Sequence, residues 1–358
     1  MKKVVFIDYY GNCDSAGRSV GHSVKALTEY SELFKESYQL EAILPQCIID
    51  EINYQVYQTI YKLPCQIVEE GDRRLGKRVL DKVKLFVNIS QALHKADGDI
   101  LFFYRTDFFL FLYHILHLKN RRRKMICLVY QQKFAEGILG KILNVIYQMG
   151  LKKFDGVIYT QKGAEPRHRR TFYMPDYYYD RDIYTKYLPV TKEEKVVCLG
   201  TMSPYKKLEE LVEVFNQNGL TLEIIGKFFD KERVKKLQES AKDNILIRDT
   251  ILSTGEYYKC MADAQYAILP YDMQQYVGRT SGVLVEALFV RTIPIAPKEL
   301  LKENGVEGIG YESLQELKNF EFLGTDKRHV VETMKEELQK YPTKQEVKNN
   351  ILEFAEGL

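Results

Sequence analysis

The sequence predicts an α/β protein built as two tandem, doubly wound Rossmann-like domains. Three observations carry this prediction. Short β-branched apolar runs alternate with longer stretches of helical apolar spacing almost from end to end, the pattern of βαβ units on a parallel sheet. The alternation is interrupted once, over residues 167–190, and then restarts. A chain of 358 residues also exceeds one comfortable core and falls short of three.

In the first half, Val4–Ile7, Ile100–Tyr104, Ile126–Val129 and Val157–Thr160 are expected as buried strands. Ser19–Phe34, Arg78–Lys95 and Gly137–Lys152 are expected as amphipathic helices between them. The start is basic then apolar, as in a signal peptide. Its apolar run lasts only about five residues before Asp8 and reads as a first buried strand. The strongest apolar run, Phe108 to Leu118, is roughly half the ~20 residues of a membrane-spanning helix. Residues 167–190 lack a period and hold two prolines and six tyrosines, so they read as a linker. Domains are therefore expected at 1–190 and 191–358.

The second half alternates more clearly. The expected strands are Lys195–Leu199, Thr221–Ile225, Ile245–Ile247, Tyr266–Leu269 and Ile293–Ala296. The expected helices are Lys207–Asn216, Lys231–Ala241, Gly255–Ala262 and Ser281–Phe289, followed by Asp326–Tyr341 and Thr343–Glu356. The two terminal helices are candidates for packing back on the first domain. A ligand cleft is expected at strand carboxyl ends and between the domains.

Composition narrows the function. Hydrophobic residues at 45% and charged ones at 28% exclude a disordered chain. The six cysteines form no CxxC pair and no zinc spacing, which points away from a structural metal and toward a reducing, cytoplasmic setting. Charge is unevenly spread. Residues 1–190 hold 29 Lys+Arg against 21 Asp+Glu, a balance of +8, and residues 191–358 hold 23 against 28, a balance of −5. The basic half calls for an anionic partner. Its runs at 119–124 and 167–170, with the amphipathic stretch Gly137–Phe154, suit either an anionic membrane face or solvated loops over a core helix. They lack interleaved aromatics, so nucleic acid is not an expected partner.

Two constellations can carry chemistry. In Leu199-Gly200-Thr201-Met202-Ser203-Pro204-Tyr205-Lys206-Lys207, a glycine after a buried strand permits a tight turn, and a lysine beside a helix start offers charge to a phosphate. Read alone, a βα turn with a solvated lysine pair is the simpler account. In the second, Arg279-Thr280-Ser281-Gly282 leads into a helix carrying Glu286. An arginine beside a positive helix end makes sense if a dianion sits there. Glu286 lies in an apolar stretch and must either face solvent or accept hydrogen bonds, for example from sugar hydroxyls.

Together these resemble the C-terminal, donor-binding domain of GT-B-fold glycosyltransferases of the family-4-like group. The matching features are Gly200 with Lys206 six residues on, LEIIG ending at Gly226, Met261–Ala264, Ala267–Tyr271, SGVLVEAL and Pro294, in order over Val196–Gly310. The resemblance implies that Gly200, Lys206, Arg279, Thr280, Ser281 and Gly282 hold a nucleotide diphosphate, Glu286 the ribose, and the segment carrying Arg248 and Thr250 the base. It implies a UDP-linked sugar donor and no cofactor or catalytic metal. Three positions depart from the family pattern: Thr201 replaces an arginine, Gly278 a glutamate, and Arg291 the glycine before the Pro294 strand.

In the first half, Asp14, His22 and Asp107 are candidate bases for an acceptor hydroxyl. The simpler reading of His22 is a helix-face residue, and that of Asp107 a helix N-cap. Asp180-Arg181-Asp182 imitates a metal-binding DxD by chance. The implied activity is glycosyl transfer to a glycan or polyprenyl-diphosphate-linked acceptor in bacterial surface polysaccharide synthesis, at the inner face of the membrane. A sugar-nucleotide epimerase of the same fold and a catalytically degenerate binding subunit are the alternatives.

Overall fold

The computed structural model describes all residues except 14–16, 18, 20–22, 69–74, 118–122, 131–136, 161–164, 176–183, 190, 275, 277–280 and 320–326. The chain divides into two units, Met1–Pro175 with Gln345–Leu358, and Asp176–Lys344.

The first unit is built on β1 (Lys3–Ile7), β2 (Asn12–Cys13), β3 (Gln39–Leu44), β4 (Thr59–Lys62), β5 (Ile67–Val68), β6 (Ile100–Phe103), β7 (Lys124–Val129), β8 (Gly156–Tyr159) and β9 (Thr171–Tyr173). Seven of these form one sheet in the order β4-β3-β1-β6-β7-β8-β9, parallel throughout. β2 and β5 form a separate parallel pair. The central strands are buried on both faces, which is why they read as unbroken apolar runs. Val5, Ile7, Leu101 and Phe103 pack under Leu85 and Ile89 of the helix Leu75–Lys95 and Phe111 of the helix Phe108–Leu116. On the other face, Phe6 and Phe102 meet Phe34 and Tyr30 of the helix Ser23–Phe34 at ring separations of 4.9–6.0 Å. The C-terminal helix Lys344–Glu356 also joins this unit: Phe354 stacks on Phe172 at 5.3 Å, and Lys348 pairs with Glu36.

The second unit has β10 (Glu193–Leu199), β11 (Leu222–Gly226), β12 (Ile245–Asp249), β13 (Ala264–Ile268), β14 (Ile293–Pro297) and β15 (Ile309–Tyr311). Their order is β12-β11-β10-β13-β14-β15, again parallel throughout. In both sheets the first strand is followed outward on one side and then on the other, so each has a topological switch point: β1/β6 and β10/β13. Ligands of doubly wound sheets enter outside the strand carboxyl ends at that point.

Several local expectations change. The segment 167–190 is not featureless, since Thr171–Tyr173 pairs with β8 as the sheet's edge strand. A three-residue edge strand needs little apolar content, which hid it. β3 went unread because Glu41 breaks its apolar run; Glu41 is buried and paired with Lys3 of the adjacent strand at 3.0 Å. The first helix begins at Ser23 rather than Ser19, because Ser19 forms an antiparallel bridge with Cys13.

Candidate functional site

The loop after β10 occupies the switch point of the second unit. Gly200 adopts φ 94°, a left-handed conformation that glycine takes without strain. A Cβ on Gly226, at the end of β11, would sit 1.7 Å from the Gly200 carbonyl oxygen, so the two strand ends approach as only glycine permits. The loop then doubles back. Lys206 bridges Tyr271 just past β13, and the Lys207 N–H donates to the Pro270 carbonyl at 2.8 Å. Arg233, held by Glu209, pins the loop by donating to the carbonyls of Ser203 at 3.1 Å and Lys206 at 2.8 Å.

The solvated-lysine account holds for exposed Lys207 but fails for Lys206, which is 3% exposed. Its ammonium donates to the Leu199 carbonyl at 2.9 Å, touches Met202 Sδ at 3.8 Å and lies 5.7 Å from the Tyr271 ring. Among the described residues no carboxylate pairs with it, and burial pulls its pKa down. The buried Ser203 hydroxyl in the same loop has no hydrogen-bond partner among the described residues. Sequence reasoning missed Ser203 and the stacked wall of Tyr271 and Tyr276, 4.1 Å apart, beside it.

Ser281 caps the helix Gly282–Phe289. Its fully buried hydroxyl accepts from the Leu284 N–H at 3.4 Å and neighbours the Tyr271 hydroxyl, so its side chain is engaged within the protein. Gly282 opens the helix, whose first N–H groups have no intrahelical acceptor. Glu286 does not face solvent. It is 7% exposed and accepts from the hydroxyls of Tyr257 at 2.7 Å and Tyr258 at 3.0 Å, a tyrosine pair that its sequence context did not reveal. Arg248 is half exposed and lies 4.0 Å from Glu223. The Thr250 N–H donates to the Gly226 carbonyl at 3.0 Å, which fixes the exit of β12. Exposed Phe229 and Ile251 flank the exits of β11 and β12. Arg291, where the family pattern has glycine, adopts φ 55°.

The first unit's switch point gathers a second set of polar groups. Asp8, fully buried just past β1, accepts from the N–H groups of Tyr10 at 2.8 Å and Gly11 at 3.1 Å and from the Tyr104 hydroxyl at 3.1 Å. Asp107 is the N-cap of the helix Phe108–Leu116: one oxygen accepts from the Leu110 N–H at 2.9 Å and the Tyr9 hydroxyl at 3.0 Å. Burial raises its pKa. Asn88 ties the end of β1 to the 65 loop through Tyr9 and Cys65 carbonyls. Asp14, His22, Arg279, Thr280 and the Asp180-Arg181-Asp182 run lie outside the described residues. Among the described residues no cluster of three or more His, Cys, Asp or Glu could hold a metal, and no helix is long and apolar enough to cross a membrane.

Parallel sheets of seven and six strands, each with a switch-point loop, make two Rossmann-like domains in tandem, and solved structures of the GT-B fold match them along the whole chain. Sucrose-phosphate synthase from Thermosynechococcus elongatus superposes with a TM-score of 0.72 at 13% identity, covering 100% of this chain and 99% of its own. HepE from Anabaena, solved with UDP and glucose, gives 0.68 at 14% identity, with both chains fully covered. A protein described as a UDP-N-acetylglucosamine 2-epimerase from Listeria monocytogenes gives 0.53 at 10% identity over 98% of this chain and 94% of its own. No protein-family model matches the sequence, and no curated protein matches it either.

Proposed function

We propose that this protein is a glycosyltransferase that moves a sugar from a UDP-linked donor, bound by the second unit, to a glycan or polyprenyl-diphosphate-linked acceptor bound by the first. The setting we assign is bacterial surface polysaccharide synthesis. The observation that carries the reading is the Lys206 ammonium, a buried cation facing no described carboxylate at the switch point where this fold admits ligand. A diphosphate is the chemistry such a charge calls for. The UDP and glucose in HepE support the choice of donor.

In this reading, the bond between the anomeric carbon and the diphosphate oxygen breaks with its electron pair passing to the diphosphate. Lys206, Arg279 and the N–H groups at Gly282 stabilise that growing charge, a role assigned to them rather than to a metal. Ser203 and Thr280 are further phosphate donors, Ser281 holds the helix start in place, and Gly200 lets the loop backbone approach. Glu286, steadied by Tyr257 and Tyr258, accepts hydrogen bonds from the ribose hydroxyls. The base lies over Phe229 and Ile251 near Arg248 and Thr250. The acceptor hydroxyl forms the new bond and gives its proton to Asp14, His22 or Asp107. The raised pKa of Asp107 suits proton acceptance.

A membrane-linked acceptor is supported by the first unit's surface. Eight of the fifteen exposed large apolar side chains among the described residues lie on three helices, Leu75–Lys95, Phe108–Leu116 and Gly137–Leu151. Val79, Lys82, Val83, Phe86, Val87, Ser90 and Tyr113 line one groove there. These helices carry a single acidic residue, Asp81, against six Lys and Arg. An apolar face with a basic rim suits peripheral docking on anionic lipid at the inner face of the membrane.

Thermal shift tests the donor site. UDP and UDP-sugars are expected to raise the melting temperature, and Lys206→Ala to abolish that shift and cut turnover by about tenfold or more. No response to any nucleotide or nucleotide sugar would overturn the reading. The epimerase neighbour supports a second reading, in which the donor alone is isomerised. Incubating the protein with each UDP-sugar and no acceptor separates the two.

A further inference from the structure

The crevice at the first sheet's switch point holds a cation that the donor chemistry does not use. Arg105 follows β6 by two residues, beside the carboxyl end of β1. Its guanidinium carbon lies 4.1 Å from the centre of the Tyr10 ring, and Nη1 donates to the Ser23 hydroxyl at 3.4 Å. A guanidinium held over a ring face and by one hydroxyl is restrained in position, and its other N–H groups can make paired bonds to an anion. Among the described residues, Asp8 and Asp107 are the carboxylates at this strand end, and neither forms an ion pair with Arg105. Asp8 accepts from the Tyr10 and Gly11 N–H groups and from Tyr104, and one oxygen of Asp107 accepts from the Leu110 N–H and Tyr9. The described acidic groups of this crevice thus organise its backbone and tyrosines, and among the described residues no carboxylate takes up the Arg105 charge.

We infer that Arg105, braced by Tyr10 and Ser23, is a binding site for a phosphate group on the acceptor. Planar, paired recognition of phosphate oxygens is the chemistry for which an oriented guanidinium is suited. This rests on the glycosyltransferase reading and deepens it: the first unit reads an anionic group on the acceptor, and the attacking hydroxyl is placed relative to that group. The phosphate can belong to a soluble sugar phosphate or to an isoprenoid diphosphate carrying the glycan.

The test measures binding to the full chain by calorimetry in saturating UDP, which occupies the donor site and reports separately on it. The probes are glucose 6-phosphate and farnesyl diphosphate, with glucose and farnesol as uncharged controls. At least one phosphorylated probe is expected to bind, its control not to, and Arg105→Gln to weaken it by about tenfold or more. Arg105→Lys should restore only part of the affinity, because an ammonium cannot make the paired contact. Which probe binds identifies the source. Unchanged affinity in Arg105→Gln, or no binding of either probe while UDP binds normally, overturns the inference and leaves the donor reading standing. Failure of UDP itself to bind overturns the donor reading, while the effect of Arg105→Gln on the probes still decides this one. A thermal unfolding profile of Arg105→Gln that matches wild type across its whole transition is the expected sign that the first unit of the variant is folded.

Discussion

At the scale of single residues, Arg291 and Lys206 show how far local rules reach. Arg291 sits in the turn between the helix Gly282–Phe289 and β14 at φ 55°, and its Nε is buried with no hydrogen-bond partner among the described residues. A left-handed conformation costs a side-chain-bearing residue roughly 1–2 kcal/mol. Arg291→Gly also frees the unfolded chain, which returns part of that gain. The expected net result is a stabilisation of about 0.5–1 kcal/mol, read as a higher urea midpoint with an unchanged slope. A lower midpoint would mean that the arginine makes a contact outweighing its strain. The family pattern made this position legible as a departure, but only the dihedral gives its cost. Lys206 was legible as a phosphate-facing lysine candidate, whereas its burial beneath Tyr271 was not, because no periodicity encodes how a loop folds back.

At the scale of elements, Lys192 joins the ends of four. Its ammonium donates to the carbonyls of Ala262, Ala264 and Val290 and to the Thr292 hydroxyl at 2.9 Å, tying the helices Thr254–Asp263 and Gly282–Phe289 to β13 and β14. Burial lowers its pKa to about 8. The unfolded chain holds this proton to near the ordinary lysine value of 10.5, so between those two values it binds more protons than the folded protein. Stability from this group therefore rises as pH increases from about 8 to 10.5. Unfolding free energies across that window, in wild type and Lys192→Met, are expected to differ in slope, the variant lacking the rise. Parallel pH profiles would show that the carbonyls compensate fully for burial. The long central elements were legible because a parallel sheet covered on both faces writes itself as apolar runs. The short edge strands Thr171–Tyr173 and Ile309–Tyr311, and β3 with its buried Glu41, were not, since pairing rather than hydrophobicity defines them.

At the scale of the whole molecule, the two charge balances acquire different meanings. The acidic half holds its proposed ligand with a few local positive groups, and the basic half carries Arg105 and the apolar helix face. If that face docks on lipid, Val83→Glu with Val145→Glu should reduce co-sedimentation with phosphatidylglycerol vesicles by about tenfold. Both side chains are more than half exposed, so the fold should persist. Binding by the wild type should also weaken as salt rises. Co-sedimentation insensitive to both changes would rule this surface out. The candidate site was legible where chemistry concentrates in one loop, as at Gly200–Lys206. It was illegible where strands distant in sequence converge, as Asp8, Tyr10 and Arg105 do.

The helix Lys344–Glu356 completes the first unit, although the whole second unit lies between them in sequence. During synthesis this inverts the order in which the parts can mature. The second unit has its entire complement of strands once the ribosome has passed Lys344, whereas Phe172 and the backbone at Gly156 wait uncovered for Phe354. The part made first is therefore the last to close, and during that interval the nascent chain presents a sheet margin to whatever binds exposed apolar surface in the cell.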